Sequence, residues 1–479
     1  MNEIFLAVDP MADNGWVSYT AGLTLNLAGL DASLHLVSPE EAPEGAPCIF
    51  YGVAPTRTPH IYLPRREQLT PGKMAFIELD CGFAQSVPVL VYEGTLDGEA
   101  DAATAKFPCD LLFNLFAYVS CLEEVRHEAR FGPLHSYAVR LKTDSRRFRR
   151  PYAHYLALAL RCALEKLWPV MPVGRTKKPA IHLTHDVDLT EKVFVTRAKE
   201  GAFRMFNTGR YLVRGNISGA RKKLGETARM VFREDDYFLF DEIASLEAEF
   251  GFCSTFNVYA PVSGGGLGES ITRWLFDPPY DPADHPRLAS TLHHLVGEGW
   301  EIGVHFGFTS WRHAEQMREE REKLEYAMGK KGIISSRQHW LRFSHSETWH
   351  ALWESGMRVD TTLGFNDVPG FRGGLALPFH PYDHVAKKAH PIISIPTILM
   401  DTHLFYYGNL EAAERLQTME TFLEEVRFVG GEACIIWHSH TLSRDHGWGQ
   451  DYRSLLEIIR RGGFSVLTPS HHKEGCADG

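Results

Sequence analysis

The chain has 479 residues, of which 44% are hydrophobic and 23% are charged, a composition typical of a globular protein with two or more domains. The formal net charge of −10 argues against a nucleic-acid-binding protein, because phosphate recognition requires clustered lysine and arginine. The eight cysteines form no C-x-x-C pair, which gives little support for a cysteine-based zinc or redox site.

The amino terminus contains no recognisable export signal. Residues 1–9 carry an acid and no basic region, and the apolar run from Ile4 to Val8 is too short for the core of a secretory signal. The sequence contains no run of about 18 apolar residues, the length that is needed to span a bilayer. We therefore expect a cytoplasmic protein without a transmembrane segment.

The first third of the chain predicts a small α/β domain. Short apolar runs predict strands at Ile4–Val8, Cys48–Val53 and Val87–Tyr92, and leucine-rich stretches predict helices over 110–124 and 152–167. Four proline or glycine residues between 169 and 179 then indicate a linker. We expect an accessory domain over residues 1–172 and a second domain over residues 175–479.

Short strand-like runs alternate with longer helical patterns in the second domain, the order expected for a parallel sheet covered by helices. The predicted strands are Ala180–Thr184, Ser254–Tyr259, Glu301–His305, Ser335–Arg337, Arg358–Thr361, Ile393–Thr397, Glu432–Trp437 and Phe464–Leu467. Seven or eight β/α repeats predict an α/β fold with a distorted TIM-like barrel, preceded by the smaller α/β domain.

A basic segment over residues 197–233, interleaved with aromatic side chains, follows the first predicted barrel strand. It is compatible with a solvated helical excursion. It is also compatible with peripheral contact to anionic lipid head groups or to a phosphorylated ligand.

Side chains that can bind a metal or transfer a proton follow the predicted barrel strands, where the active sites of such barrels lie. They are His185, Asp186 and Asp188 after the first strand, His305 after the third, Arg337 and His339 on the fourth, Asp360 on the fifth, and His438 and His440 after the seventh. The pattern predicts one site on the rim of the barrel.

These residue types fit a metal-assisted hydrolysis. Asp188 and His305 are suitable ligands for a divalent cation, which acidifies a bound water and polarises a carbonyl. Asp186, held ionised by Arg337, would accept a proton from that water. His438 would protonate the leaving amine.

Five blocks of the second domain resemble the motifs of NodB-like polysaccharide deacetylases, a carbohydrate esterase family built on a distorted β/α barrel. The blocks are Thr184–Asp188, Glu301–His305, Arg337–Trp340, Asp360–Gly364 and Ile436–His438. The resemblance implies the catalytic base at Asp186, an arginine contacting it at Arg337, the general acid at His438, and metal ligands at Asp188 and His305.

The sequence departs from the family pattern at one ligand. The family's second metal-binding histidine follows the first by four residues, and that position is Thr309 here. Thr309 itself, a water, His185 or His440 could complete the shell, or metal binding could be weak or lost.

We assign possible substrate contacts to Trp340, Arg372 and His339. A tryptophan near the rim could stack on a sugar, although buried aromatic side chains also pack in barrel cores. Arg372, in a glycine-rich loop, could grip a phosphate or carboxylate. His339 could instead pair with local carbonyl groups.

The leading hypothesis is a hydrolase that removes acetyl groups from an N-acetylated sugar or polysaccharide precursor and depends on Zn²⁺, or on Co²⁺ or Mn²⁺. Thr309 motivates one alternative, a degenerate barrel that acts as a carbohydrate-binding or assembly module. A third possibility is a hydrolase of a small non-sugar amide. The stretch 113–124 resembles a helix that precedes such barrels in uncharacterised bacterial deacetylase-like proteins, which implies an accessory domain of unknown role.

Overall fold

The computed structural model describes most of the chain. The described ranges are residues 3–9, 15–66, 72–92, 103–140, 144–169, 178–192, 217–232, 235–262 and 266–475, with single positions between 197 and 215. The proposed linker therefore lies largely outside the described residues, and the domain division at residues 172 and 175 stays a prediction.

The described residues of the first part of the chain form a five-stranded parallel sheet, a two-stranded hairpin and four α-helices. The strands are β1 (Glu3–Ala7), β2 (Ser33–Val37), β3 (Cys48–Tyr51), β4 (His60–Leu63), β5 (Met74–Leu79), β6 (Val87–Tyr92) and β7 (Thr104–Lys106). The sheet order is β2-β1-β3-β4-β7, whereas β5 and β6 pair antiparallel. The helices are α1 (Trp16–Leu27), α2 (Leu111–Val119), α3 (Leu122–Phe131) and α4 (Tyr152–Leu167).

The single helix predicted over residues 110–124 is wrong. Asp110 caps α2 by accepting a hydrogen bond from the amide of Phe113 at 2.9 Å. The helix ends at Ser120 because Cys121 adopts a left-handed conformation with φ of 50°. A new helix, α3, then begins at Leu122, and its first turn contains Glu124, which reaches Arg372 in the second part of the chain.

The described residues of the second part form a curled parallel sheet of nine strands, which confirms the expected distorted TIM-like barrel. The strands of this part are β8 (Ala180–Val187), β9 (Thr255–Val258), β10 (Glu301–Phe306), β11 (Ser335–Gln338), β12 (Val359–Asp360), β13 (Tyr382–Asp383), β14 (Lys388–Ala389), β15 (Ile393–Ser394), β16 (Thr397–Met400), β17 (Glu432–Ile436) and β18 (Ser465–Val466). Eight of them follow the order β15-β12-β11-β10-β9-β8-β17-β16, β18 pairs with β8, and β13 and β14 form a separate ribbon.

Helices connect the strands of this sheet. They are α5 (Ile217–Phe232), α6 (Phe240–Ala248), α7 (Leu267–Phe276), α8 (Pro286–Gly297), α9 (Ala314–Met328), α10 (Thr348–Glu354), α11 (Ala412–Phe428) and α12 (Gly449–Arg461). All eight residues of β8 are buried, as expected for a central strand covered on both faces. Helix α5 belongs to the basic segment over residues 197–233. Only scattered positions of that segment before residue 217 are described.

The sheet curls until its two edges are joined by the chain itself. The single strand predicted over Ile393–Thr397 is two strands in the structure, because the chain passes from edge strand β15 to edge strand β16 through Ile395 and Pro396. The amide of Ile395 donates to Asp360 on one edge, and the carbonyl of Pro396 accepts from Cys434 on the other. Closure therefore brings the carboxyl ends of all the strands around one rim.

The two parts of the chain share buried surface. One cluster of buried apolar side chains includes Tyr118 of α2 and Trp437 after β17. Arg150 contacts Glu425 at 2.8 Å, and Arg372 contacts Glu124 at 2.7 Å. Among the described residues, no helix is both long and apolar enough to cross a membrane.

Candidate active site

The structure brings the polar residues at the strand ends together on one rim. Strands β8, β10 and β11 are parallel, so their carboxyl ends point the same way. They carry Asp186 and Asp188, His305, and Arg337, and His438 follows β17.

A compact group of three candidate metal ligands lies at this rim. The Oδ1 atom of Asp188 is 3.3 Å from Nε2 of His305 and 3.5 Å from Nε2 of His339. One ligand atom from each of the three residues lies within 4.8 Å of the others. Burial opposes ionisation, but contact with His305 and the charges of the surrounding imidazoles hold the pKa of Asp188 well below its usual range.

His339, for which the sequence predicts a substrate contact, belongs to this ligand cluster and also lines a cavity beside it. Its other ring nitrogen, Nδ1, lies 3.5 Å from Oδ1 of Asp277. That carboxylate is in turn held by the amide of Phe308 at 2.6 Å and by the hydroxyl of Tyr259 at 3.1 Å. Nδ1 of His339 makes no hydrogen bond to a described residue at this separation, but a carboxylate placed behind the distal nitrogen is the usual neighbour of a metal-binding histidine.

The chemistry of the cluster fits a divalent cation. Two atoms that face each other, Oδ1 of Asp188 and Nε2 of His305, are buried and have no hydrogen-bond partner among the described residues. Buried polar atoms are normally paired, and an exception calls for an ion or a similar partner. Two imidazoles and one carboxylate also form a ligand set that catalytic zinc sites use.

Asp186 lies beside the cluster, where it accepts a hydrogen bond from Asn257 and forms an ion pair with Arg337. Asn257, its register neighbour on β9, donates from Nδ2 to Oδ1 at 2.9 Å, and Nε of Arg337 lies 3.6 Å away. Burial opposes charge on Asp186, but Arg337, then His305 and His438, lower its pKa. Gly303 keeps this geometry, since a Cβ there would stand 2.5 Å from Oδ1 of Asn257.

Arg337 is held in a fixed position inside the barrel. It is fully buried and donates from Nη2 to Oγ1 of Thr184 at 2.9 Å and from Nε to Oγ1 of Thr361 at 3.2 Å. The neighbouring Asp360 is used differently, because it accepts from Trp349 at 3.1 Å and from Thr362. The carboxylate that faces Arg337 at the site is therefore Asp186.

His438 approaches the second carboxylate oxygen of Asp188 and is oriented by Asp401. Its Nδ1 lies 2.7 Å from Oδ1 of Asp401, and its backbone amide donates to Oδ2 of the same residue at 2.9 Å. Its Nε2 lies 3.6 Å from Oδ2 of Asp188. Burial lowers the pKa of His438, but Asp401, followed by Asp188 and Asp186, raises it to about 10.

The other candidates for the third ligand are directed elsewhere. Side chains alternate along a strand, so His185 faces away from Asp186, and its ring nitrogens lie 2.7 Å from the carbonyl of Trp437 and 2.8 Å from Glu247. Thr309 accepts a hydrogen bond from Gln316 at 3.3 Å. His440 is not part of the ligand cluster. It lines a cavity beside the cluster, which is described next.

A cavity of about 300 Å³ opens beside the cluster. Asp188, His339 and His438 contribute to its polar floor. Its walls are largely aromatic or apolar and include Trp340, Phe276, Met400, Tyr406 and Tyr407. Trp340, which is predicted to contact substrate, thus lines this cavity.

The predicted substrate contact of Arg372 is corrected by the structure. Its side chain is 1% exposed and lies outside the cavity lining. It donates to Glu124 at 2.7 and 3.0 Å, to the carbonyl of Gly364 at 2.9 Å and to the carbonyl of His135 at 2.8 Å. Arg372 therefore joins the two parts of the chain.

Residues 135 and 136 of the first part extend to the rim. The hydroxyl of Ser136 donates to the carbonyl of Trp340 at 2.9 Å, and Asn366 donates to the same carbonyl. This carbonyl belongs to a residue with a left-handed φ of 57°, a strained conformation for a bulky side chain. The first part of the chain thus stabilises the backbone that presents Trp340 to the cavity.

Three further residues at the site are absent from the sequence predictions: Asp401, Asn257 and Asp277. Asp401 follows directly after β16, so the rule that identifies Asp188 would have found it had the sixth strand been extended to Met400. Asn257 lies inside a strand and Asp277 follows a helix, and neither position carries a local signal.

Comparison with known proteins returns likenesses at low identity. No family model and no curated protein matches the sequence. Among solved structures, a Mycobacterium smegmatis protein provisionally described as a polysaccharide deacetylase is 16% identical, with 63% of this chain and 91% of that chain covered and a TM-score of 0.38.

Two further structures are similar. A family 4 carbohydrate esterase from Bacillus anthracis is 12% identical over 63% of this chain and 85% of that chain, with a TM-score of 0.28. The carbohydrate deacetylase Agd3 is 8% identical over 99% and 86%, with a TM-score of 0.35. The chain's own curled parallel sheet, with the five sequence blocks at its strand ends, agrees with the NodB-like deacetylase fold that those blocks predict.

Proposed function

We propose that the protein is a metal-dependent hydrolase that removes acetyl groups from an N-acetylated sugar. The observation that carries this proposal is the arrangement around Asp188. The carboxylate of Asp186 lies 3.6 Å from Arg337, and the imidazole of His438 lies 2.7 Å from Asp401 and 3.6 Å from Asp188. Asp188 and His438 line one cavity.

Asp188, His305 and His339 would hold the cation. The three residues offer suitable donor atoms within 4.8 Å of one another, and Oδ1 of Asp188 and Nε2 of His305 are buried without a hydrogen-bond partner among the described residues. Asp277 lies 3.5 Å from the other ring nitrogen of His339. A divalent cation, with Zn²⁺ the expected ion and Co²⁺ or Mn²⁺ also compatible, supplies Lewis acidity that acidifies a water and polarises the acetyl carbonyl.

Asp186 is the proposed general base. Its carboxylate is ionised, because its pKa is lowered, and Arg337 and Asn257 fix its direction. It would accept a proton from the attacking water as that water adds to the acetyl carbon. The buried guanidinium of Arg337 keeps Asp186 ionised and therefore able to accept that proton.

His438 is the proposed general acid. Its Nδ1 is committed to Asp401, so Nε2, which points towards Asp188, carries the transferable proton. A raised pKa keeps this imidazole protonated at neutral pH. Proton transfer from Nε2 to the amide nitrogen accompanies cleavage of the C–N bond and gives acetate and a free amine.

The cavity supports a sugar as the substrate. Aromatic faces such as that of Trp340 can pack against the C–H groups of a sugar ring, while the hydroxyls reach polar groups at the floor. The reason for considering a degenerate binding module is Thr309. Because His339 supplies a third candidate ligand, the geometry favours the hydrolase.

Acetate release from a panel of N-acetyl sugars tests this proposal, with small amides assayed in parallel for ammonia release or ring opening. Replacing Asp186→Asn should lower turnover by at least about 10²-fold, the range that general base catalysis contributes, while metal binding and folding stay intact. Asp241→Asn, at an exposed position of α6, is the matched control. Full activity of the Asp186→Asn variant would remove Asp186 as base, and activity on the amides alone would replace the sugar as substrate.

A further inference from the structure

Three side chains that can bind a metal converge at the end of the barrel opposite Asp188. They are His182 on β8, Glu432 at the start of β17 and His472 in the 3₁₀ helix Pro469–Gly475. One ligand atom from each of the three lies within 4.8 Å of the other two. Asp188 follows His182 by six positions, roughly 20 Å along an extended strand. This second cluster is therefore separate from the candidate active site.

The side chain of His182 points into the interior of the barrel. Side chains alternate along a strand, so His182 faces the same side of β8 as Thr184 and Asp186. Those two residues contact the buried Arg337 inside the barrel. His182 is itself fully buried. Barrel interiors are usually filled by branched apolar side chains, so an imidazole at this position requires a polar partner.

Glu432 meets two imidazoles through the same carboxylate oxygen. Nε2 of His182 lies 2.5 Å from Oε1 of Glu432, and Nε2 of His472 also contacts that oxygen. The centroids of the two rings are 5.6 Å apart. Two nitrogens and one oxygen thus lie within a small volume, and two imidazoles with one carboxylate are a ligand set that zinc sites use.

The second ring nitrogen of His182 leaves the imidazole free to act as a ligand. Nδ1 is buried and has no hydrogen-bond partner among the described residues. A backbone amide donating to Nδ1 would fix the proton on Nε2 and block metal binding there. Because no described group does so, the tautomer whose Nε2 lone pair faces Glu432 and His472 is available.

Backbone contacts bring His472 to the cluster without using its ring. Strand β18 pairs with β8, and the amide of Leu467 donates to the carbonyl of Ile181 at 3.1 Å. The amide of Ser470 then donates to Oε2 of Glu301, at the start of β10, at 3.0 Å. The chain after β18 therefore turns across the amino ends of the strands, and this turn holds the third candidate ligand in place.

We propose that His182, Glu432 and His472 bind a divalent cation, with Zn²⁺ the expected ion. The side chains of Glu432 and His472 are 13% and 22% exposed, so the ion can enter from solvent and water can complete its shell. The chemistry of such barrels lies at the other end. The role of this ion is therefore to join the segment over residues 468–472 to the barrel, and not to take part in hydrolysis.

Zinc binding to the purified full chain tests this second site. Equilibrium dialysis is performed on a background variant, His305→Ala with His339→Ala, which removes two of the three candidate ligands of the active site. This variant should still bind a single Zn²⁺. Adding His472→Ala should weaken that binding by at least about 10²-fold, since one ligand of three is lost. His472 is partly exposed, so its replacement does not open the barrel interior.

Two further variants sharpen the test. His182→Gln keeps a polar side chain in the barrel but removes the imidazole, and it should weaken Zn²⁺ binding as His472→Ala does. His471→Ala is the matched control, because it removes an exposed imidazole next to His472. It should not change the affinity by more than about twofold, since His471 lies outside the cluster. Circular dichroism establishes that each variant is folded.

Stability and hydrogen exchange report the proposed role of the ion. Zn²⁺ at about 100 times its Kd should raise the folding equilibrium constant of the background variant by about 10²-fold, and should slow amide exchange over residues 468–472. Both effects should disappear with His472→Ala. A folded background variant that binds no Zn²⁺ would overturn the proposal, and the three residues would then form a hydrogen-bonded triad without an ion. Equal losses with His471→Ala and His472→Ala would also overturn it.

Discussion

His339 is the residue whose replacement best tests the candidate metal centre. Its Nε2 faces Asp188 at 3.5 Å and its Nδ1 faces Asp277 at 3.5 Å. Zinc sites with four protein ligands bind with roughly 10–16 kcal/mol, so one ligand contributes about 2.5–4 kcal/mol. The change His339→Ala should therefore weaken Zn²⁺ binding by about 10²–10³-fold.

Competition between the purified protein and a chromophoric chelator at neutral pH measures this change. Removing only the support behind the imidazole, with Asp277→Asn, should cost a smaller factor of about 10–100. Circular dichroism and chemical unfolding establish whether each variant stays folded.

Two control variants make the test specific. Thr309→Ala alters the position where the family pattern has a histidine, and His313→Ala removes an exposed imidazole close to the rim. Neither should change the affinity by more than about twofold. If Thr309→Ala weakens Zn²⁺ binding while folded His339→Ala retains it, the assignment of His339 as a ligand is refuted.

Three further predictions concern the general acid and the buried charges. The change Asp401→Asn should lower turnover by at least about 10²-fold. It should also move the alkaline limb of the pH–rate profile to lower pH, because Asp401 raises the pKa of His438. An unchanged profile would contradict this role of Asp401. The change Glu124→Gln should lower the free energy of unfolding by about 3–5 kcal/mol, because it leaves the buried charge of Arg372 unpaired. Urea denaturation measures this change, and a loss below about 1 kcal/mol would show that the pair is unimportant for stability. Burial raises the pKa of Glu320 from 4.5 to about 7, so the folded state favours its neutral form and the stabilisation is lost as the pH rises from 4.5 to 7. Relative to Glu320→Gln, the unmodified protein should lose about 3 kcal/mol across that window, and parallel pH dependences of the two proteins would contradict the raised pKa.

The sequence was sufficient to predict the barrel and the rim positions of five site residues. Apolar runs that end in Asp, His or Arg mark the carboxyl ends of parallel strands, and closure of the sheet brings those ends together. This identification of rim residues needs only local information, because each apolar run and the polar residue that ends it are adjacent in the chain. It therefore identified Asp186, Asp188, His305, Arg337 and His438 as neighbours, although their proposed roles await experiment.

Local information did not decide which of several similar side chains enters the site. His185 is next to Asp186 in the chain, but strand alternation turns it towards Glu247 and Trp437. His339 enters instead, because the turn after β11 directs its ring towards Asp188. The sequence shows that two adjacent strand residues face opposite sides, but not which side faces the site.

Contacts between distant parts of the chain were beyond the reach of the sequence. Arg372 sits in a glycine-rich loop that predicts a ligand contact, yet it pairs with Glu124, 248 positions earlier. Asp401 and His438 are 37 positions apart and meet because β16 and β17 are neighbours in the sheet. The sequence by itself determined the barrel and the kinds of chemical group on its rim, because the apolar pattern of each strand and the polar residue at its end lie within a few consecutive positions. Tertiary structure decided which groups meet and which are held away, because side chains far apart in the chain find their partners only when the sheet closes.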